Sequence, residues 1–212
     1  MESQMSQDTP SRRIAAWDFD GTITERDTLG GFLVAFGGRR RFAASMSRRS
    51  AHLARGLRND VARDRAKELV IGDIVSGHTV AAYEAAGREY ASLLDRRCRA
   101  ASMDRVAQHR ADGDELVIVS ASLETYLRPF AEAHGFAHVI GVTLAERDGV
   151  LTGEFARPNV RAEQKASRLQ EWINETGGGP AEIWAYGNSS GDDHLLAMSD
   201  HPTWVGKRAD RK

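Results

Sequence analysis

Cys98 is the single cysteine among 212 residues. Its isolation excludes an intramolecular disulfide framework and any zinc site built from cysteines, and it fits a reducing, cytoplasmic setting. Long apolar runs are missing too: no stretch approaches the roughly 20 residues of a membrane span. The segment Met1 to Arg13 is polar and lacks the apolar centre of a signal peptide, so residues 1–12 read as a disordered lead-in. Excess charge is also absent. A formal net charge of -1 gives no global attraction to nucleic acid or anionic membrane, and any ionic partner must be met by a local patch. What remains is ordinary globular material, 41% hydrophobic and 28% charged, enough for one core plus a modest accessory unit.

Four short apolar runs end in polar residues or glycine. Ile14 to Trp17 stops at Asp18, Leu116 to Val119 stops at Ser120, and Val139 to Val142 and Ile183 to Tyr186 have the same form. Runs of this length without alternation are the pattern of buried parallel strands. Helical stretches lie between them, Leu123 to His134 closed by Gly135 and Glu163 to Thr176 closed by glycines 177 to 179, so strand and helix alternate around a parallel sheet. Arg147-Asp148-Gly149-Val150 predicts a hairpin. The segment from Asp27 breaks the alternation. It has no convincing strand and predicts helices over Leu29 to Phe36, Arg39 to Leu57, Asp60 to Val75 and Val80 to Arg97, with breaks at Gly37-Gly38, Asn59 and Gly77. The expected organisation is therefore an α/β core of residues 13–26 and 112–207, interrupted by a helical insert of residues 27–111.

The chemistry concentrates in Asp18-Phe19-Asp20-Gly21-Thr22-Ile23-Thr24. In extended backbone, residues two apart face the same way, which would turn both carboxylates into one site. Such a pair calls for a proton or a hard cation between its members, and open parallel sheets bind ligands beyond the carboxyl ends of their strands. The competing reading is an Asx turn in which Asp20-Gly21 only closes the loop. Ser120 could donate to a bound anion or cap the helix that begins near Ser122. Lys165 could be a fixed active-site cation or a solvated helix lysine.

The segment Asp18 to Thr24 resembles the first signature of the haloacid dehalogenase superfamily. The other three signatures follow in order as Ser120, Lys165 and Gly187-Asn188-Ser189-Ser190-Gly191-Asp192, and the helical insert resembles the phosphoserine phosphatase-like subgroup. The resemblance implies a Rossmann-like parallel-sheet core with an inserted helical cap. It also implies a magnesium-dependent phosphatase, with Asp18 as nucleophile, Asp20 as general acid and base, and Thr22, Ser120 and Lys165 around the substrate phosphate. Mg2+ would be held by Asp18, Asp20, Asn188 and Asp192, Asn188 standing where the family usually has an aspartate. Asp193 falls out of register and reads as a first-turn helix acid. Asp27 stands where phosphoserine phosphatases have a glutamate that contacts the substrate amine; here it reads as a specificity residue or as an N-cap.

The expected substrate is a small phosphorylated metabolite, phosphoserine included, with no nucleic-acid partner. The same residues would serve a phosphotransferase or a lipid-phosphate phosphatase, and a non-catalytic or regulatory phosphate-binding relative is the remaining alternative. Arg39, Arg40, Arg41, Arg48, Arg49, Arg55, Arg58, Arg63 and Arg65 make the insert basic, either as a solvated helix face or as a surface that meets an anionic substrate or membrane. His52, His109 and His201 are read as structural.

Overall fold

The computed structural model describes residues 12–179 and 181–206. Residues 1–11 of the expected lead-in and Pro180 and Lys207 of the expected core lie outside them. Arg12 opens the first strand, β1 (Arg12–Trp17), one residue before the expected core begins. Its guanidinium is bonded to Glu115 Oε1 at 2.6 Å and stacks over the Trp172 ring.

β1 is the middle of a five-stranded, wholly parallel sheet. The other strands are β2 (Glu115–Leu123), β3 (His138–Val142), β6 (Ala181–Gly187) and β7 (His201–Trp204), in the order β3-β2-β1-β6-β7. Ile14, Ala15, Ala16, Val117, Ile118, Val119 and Ala185 are fully buried, as strands covered on both faces require. Trp17 pairs in register with Ile118 on one side and with Tyr186 on the other, so β1 and β6 end at nearly one level while β2 runs on past Ser120 to Leu123. The site sits at that edge. The edge strand β7 was not expected, because His201-Pro202-Thr203-Trp204 carries too little apolar pattern to announce a strand. It is half-buried to exposed, and its proline is tolerable at a sheet edge.

The helices of the insert are α1 (Leu29–Arg48), α2 (Ser50–Gly56), α3 (Asp60–Val75) and α4 (Val80–Ala91). The expected break at Gly37-Gly38 is a kink within α1, where Gly38 takes φ 79°. Asn59 caps α3 and Thr79 caps α4 with side-chain oxygens. The insert ends earlier than expected. Helix α5 (Ala100–Ala111) belongs to the core: Arg99 N–H donates to Ile23 O, Ser102 Oγ donates to Thr22 O at 2.7 Å, and Val106 is buried in the main core. His109 on α5 is bonded at Nδ1 to Asp114 and at Nε2 to Tyr186 OH, the structural role expected for it. An Ala- and Arg-rich sequence does not distinguish a core helix from an insert helix, which is why the expected boundary at residue 111 was late.

Three further helices complete the core: α6 (Glu124–His134) and α7 (Glu163–Glu175) pack on β2 and β3, and the short α8 (Asp193–Ala197) packs on β6. The hairpin β4 (Leu144–Arg147) and β5 (Val150–Phe155) turns at Asp148 and Gly149, both at positive φ, as an Asp-Gly two-residue turn requires. It ties the insert to the core. Leu151 N–H donates to His78 O, Val80 N–H to Gly149 O, and Phe155 N–H to the Glu68 carboxylate.

Candidate active site

Past β1 the chain does not stay extended. Residues 19–23 wind into a wide turn closed by Thr24 N–H donating to Phe19 O at 3.0 Å, and Gly21 takes φ 84° within it. Asp18 and Asp20 therefore meet through a turn, not through the strand alternation expected from their spacing. Both line one cavity of about 230 Å³ at the carboxyl edge of the sheet, together with Ser120, Lys165 and Asp192.

Asp18 is only 6% exposed. One of its oxygens accepts from Lys165 Nζ at 2.5 Å, the other from Thr22 Oγ1 at 3.0 Å. Burial pushes its carboxyl up to about 6, against the opposing pull of Lys165. Thr22 thus braces Asp18 and is not among the residues lining the cavity, where the resemblance had it beside the substrate phosphate. Lys165, near the start of α7, also donates to Asp192 Oδ1 at 2.6 Å. Burial alone would lower its ammonium; the charges of Asp18 and Asp192 outweigh that and raise it. Lys165 is a fixed, buried cation facing Asp18.

Asp20 is held by three donors. Thr28 N–H and Oγ1 bond one carboxylate oxygen at 2.8 and 2.7 Å, and Ser122 Oγ donates to the other. Burial, then the negative charge of Asp27, lift its pKa above the ordinary carboxylate range despite these bonds. That favours a group able to carry a proton. Asp27 is exposed, and its Oδ1 accepts from Gly30 N–H at 3.1 Å in the first turn of α1, the local capping role; it also lines the cavity. Ser120 Oγ accepts from Ser122 N–H at 3.1 Å. Helix α6 begins only at Glu124, so Ser120 is not its cap.

The fourth segment folds around Asp192, whose Oδ2 accepts from the amides of Asn188 and Ser189 and from Ser189 Oγ. Burial works against its charge, but Lys165 and these donors outweigh it and hold the carboxyl below its usual range. Ser189, not Asn188, caps the short turn Ser190–Asp192, which leaves the Asn188 amide for another task. It lies directly over Gly21, where a Cβ would overlap its amide nitrogen. Asp193 begins α8, as expected.

Among the described residues no group of three His, Cys, Asp or Glu side chains could hold a metal unaided. The carboxylates of Asp18, Asp20 and Asp192 nonetheless line one cavity, from whose lining residues Asn188 is absent, and hard carboxylate oxygens of this kind suit Mg2+.

The insert adds residues that the sequence did not single out for the site. Lys67 on α3 reaches into the cavity, donating to Ala121 O and to Asn159 Oδ1, and burial pushes its ammonium down to about 8. Asn159 Nδ2 donates to Asp64 at 2.7 Å, and Arg161 pairs with Asp60 at 2.6 Å. The loop carrying these core residues is strained: Ala162, at the start of α7, sits at φ 51°, ψ -125°. No short motif marks Lys67, Asn159 or Arg161; only their meeting across the insert and core reveals them.

The model of the haloacid dehalogenase-like hydrolase family matches residues 15–197. The chain belongs to that family. Protein CicA of Caulobacter vibrioides is 33% identical over 194 residues, covering 88% of this chain and 83% of its own. A solved Bordetella pertussis Tohama I protein of unknown function superposes with a TM-score of 0.75 at 27% identity, covering 88% and 86%. A phosphoserine phosphatase solved as a phospho-aspartyl intermediate analogue gives 0.60 at 14% identity, covering 89% and 84%. The fold is that of the phosphoserine phosphatases, and the enzyme is a haloacid dehalogenase-like hydrolase. Among the described residues no helix is long and apolar enough to cross a membrane.

Proposed function

We propose that this enzyme hydrolyses a small phosphate monoester through an aspartyl-phosphate on Asp18, with Mg2+ as cofactor. One observation carries the reading: a buried carboxylate, Asp18, is clamped by Lys165 and Thr22 beside a second carboxylate, Asp20, whose pKa is raised. An Asp18 oxygen attacks phosphorus while the bond from phosphorus to the ester oxygen breaks, and Asp20 gives its proton to the departing alcohol. Water then attacks the phosphorus of the acyl phosphate, Asp20 takes the proton, and Asp18 leaves as a carboxylate with release of inorganic phosphate. Lys165 stabilises charge on the transferring oxygens, and Ser120, which lines the same cavity, donates its hydroxyl to one of them. Asp18, the Asp20 carbonyl, Asn188 and Asp192 would hold Mg2+, which when bound screens the repulsion between carboxylate and phosphate.

The test is turnover of p-nitrophenyl phosphate with and without magnesium. Activity is expected only with the metal. Asn188→Asp adds a negative charge to the donor set and should lower the magnesium concentration for half-maximal rate, whereas Asn188→Ala should raise it or abolish turnover. Metal-independent turnover, or an Asn188→Ala enzyme with unaltered magnesium demand, would remove Asn188 from the metal site.

A further inference from the structure

Above the phosphate cavity the insert encloses a second one, about 670 Å³, between α1, α2 and α3. Its walls are apolar: Leu33, Phe42, Met46, Leu53, Val70 and Ile71 supply much of the lining. The polar and charged side chains that touch it are few, and Asp27, Arg63 and Lys67, with Leu29, also line the phosphate cavity. The two spaces therefore meet at one junction, with two cations on it. The apolar space is open at its far side. Of the five exposed large hydrophobic side chains among the described residues, Met46 and Leu57 line it, at 36% and 79% exposure.

A substrate whose phosphate sits beside Asp18 and Lys165 can send its leaving group past Asp27, Arg63 and Lys67, the charged residues that line both cavities. There it meets a space that offers almost nothing to a hydroxyl, amine or carboxylate and much to a hydrocarbon. A polar leaving group would lose water on entering without regaining hydrogen bonds. An apolar one would gain free energy with each methylene buried. We infer that the leaving group of the preferred substrate is an apolar chain or ring, held in the cavity between α1, α2 and α3 and entering as a single amphiphilic molecule from water. The inference rests on the phosphatase reading for the position of the phosphate. It narrows the substrate from small phosphorylated metabolites in general to amphiphilic phosphate monoesters.

The test separates the two claims by measuring binding apart from turnover. Affinities of ethyl-, butyl-, hexyl- and octylphosphonate, each below its micelle concentration, are measured by calorimetry with magnesium present. Affinity should rise by up to about fourfold per methylene, the equivalent of about 0.8 kcal/mol, until the cavity is full. Met46→Glu, which puts a charge in the wall, and Ala54→Trp, which fills the space from α2, should both flatten the series. The ratio of octyl to ethyl affinity is the readout, since a misfolded variant would lose both ligands. A flat series in the unmodified enzyme, or a slope surviving both variants, overturns the inference. So does binding seen only with phosphatidic acid in phosphatidylcholine vesicles, which would assign the apolar face to a membrane surface. A concentration-dependent dimer broken by Met46→Glu, without chain-length dependence, would assign it to a second copy and overturn it too. Absence of p-nitrophenyl phosphate hydrolysis would defeat the phosphatase reading, while the phosphonate series still decides the cavity's occupant.

Discussion

The parallel-sheet core and the helical insert solve opposite problems. In the core, strands of matched register bring Asp18, Ser120 and the Asn188 segment to one edge, and every charged group there has a partner: Lys165 bridges Asp18 and Asp192, and Thr28 and Ser122 hold Asp20. In the insert, arginines line solvent, an apolar cavity stands open, and contact with the site rests on a few side chains such as Lys67. Chemistry demands fixed geometry, so it is placed on rigid elements. Choice of leaving group demands only shape and polarity, which helices of varied sequence can supply. Damage to the core should therefore appear in the rate of every substrate, and damage to the insert in which substrates bind.

The sharpest break is Asp18→Asn. The amide is nearly the same size but cannot serve as nucleophile, so kcat should fall by about 10⁴-fold or more for short and long esters alike. A loss confined to one class of ester would mean that Asp18 selects substrates instead of reacting with them.

Lys67→Met is the corresponding change on the insert side. The Lys67 ammonium loses its proton as pH rises through about 8, so its charge is present below that value and absent above it. KM for an anionic substrate should climb above pH 8 in the unmodified enzyme, with kcat changing less. In Lys67→Met the KM should sit roughly tenfold higher at pH 7, the worth of about 1.4 kcal/mol, and lose that limb. A fall in kcat with KM unchanged would move Lys67 from substrate binding into the chemical step.

Ala162→Gly probes the seam between the regions. Relief of a non-glycine residue at φ 51° should raise stability by about 1 kcal/mol, seen as a shift of the urea midpoint. If the strain serves to aim Arg161 and Lys165, the stabilised variant will also be slower. A variant of unchanged stability would show that Ala162 costs nothing where it sits.

Legibility divided along the same line. The four buried strands and the spacing from Asp18 to Asp192 were readable because a buried parallel strand ending in a polar residue has few other meanings. Ser122 and Thr28 were not flagged as partners of Asp20, because serine and threonine near helix starts are ordinarily caps. Strand β7 carries no apolar run, and α5 looks like its neighbours in the insert although its Ser102 and His109 are bonded to the core. The apolar cavity was invisible for a related reason. Leu33, Phe42, Leu53 and Val70 fall on three helices, and only their packing decides whether such residues meet each other or leave room between them.

The central claim is that phosphoryl transfer passes through Asp18. Acid quench of the enzyme during steady-state turnover of a phosphate monoester with magnesium, followed by proteolysis and mass spectrometry, tests it directly. The account predicts a phosphoryl group on the peptide bearing Asp18, chased away when substrate is exhausted and absent from Asp18→Asn. Rapid turnover in repeated quenches with no phosphorylated peptide, or with the label on any other residue, would contradict it.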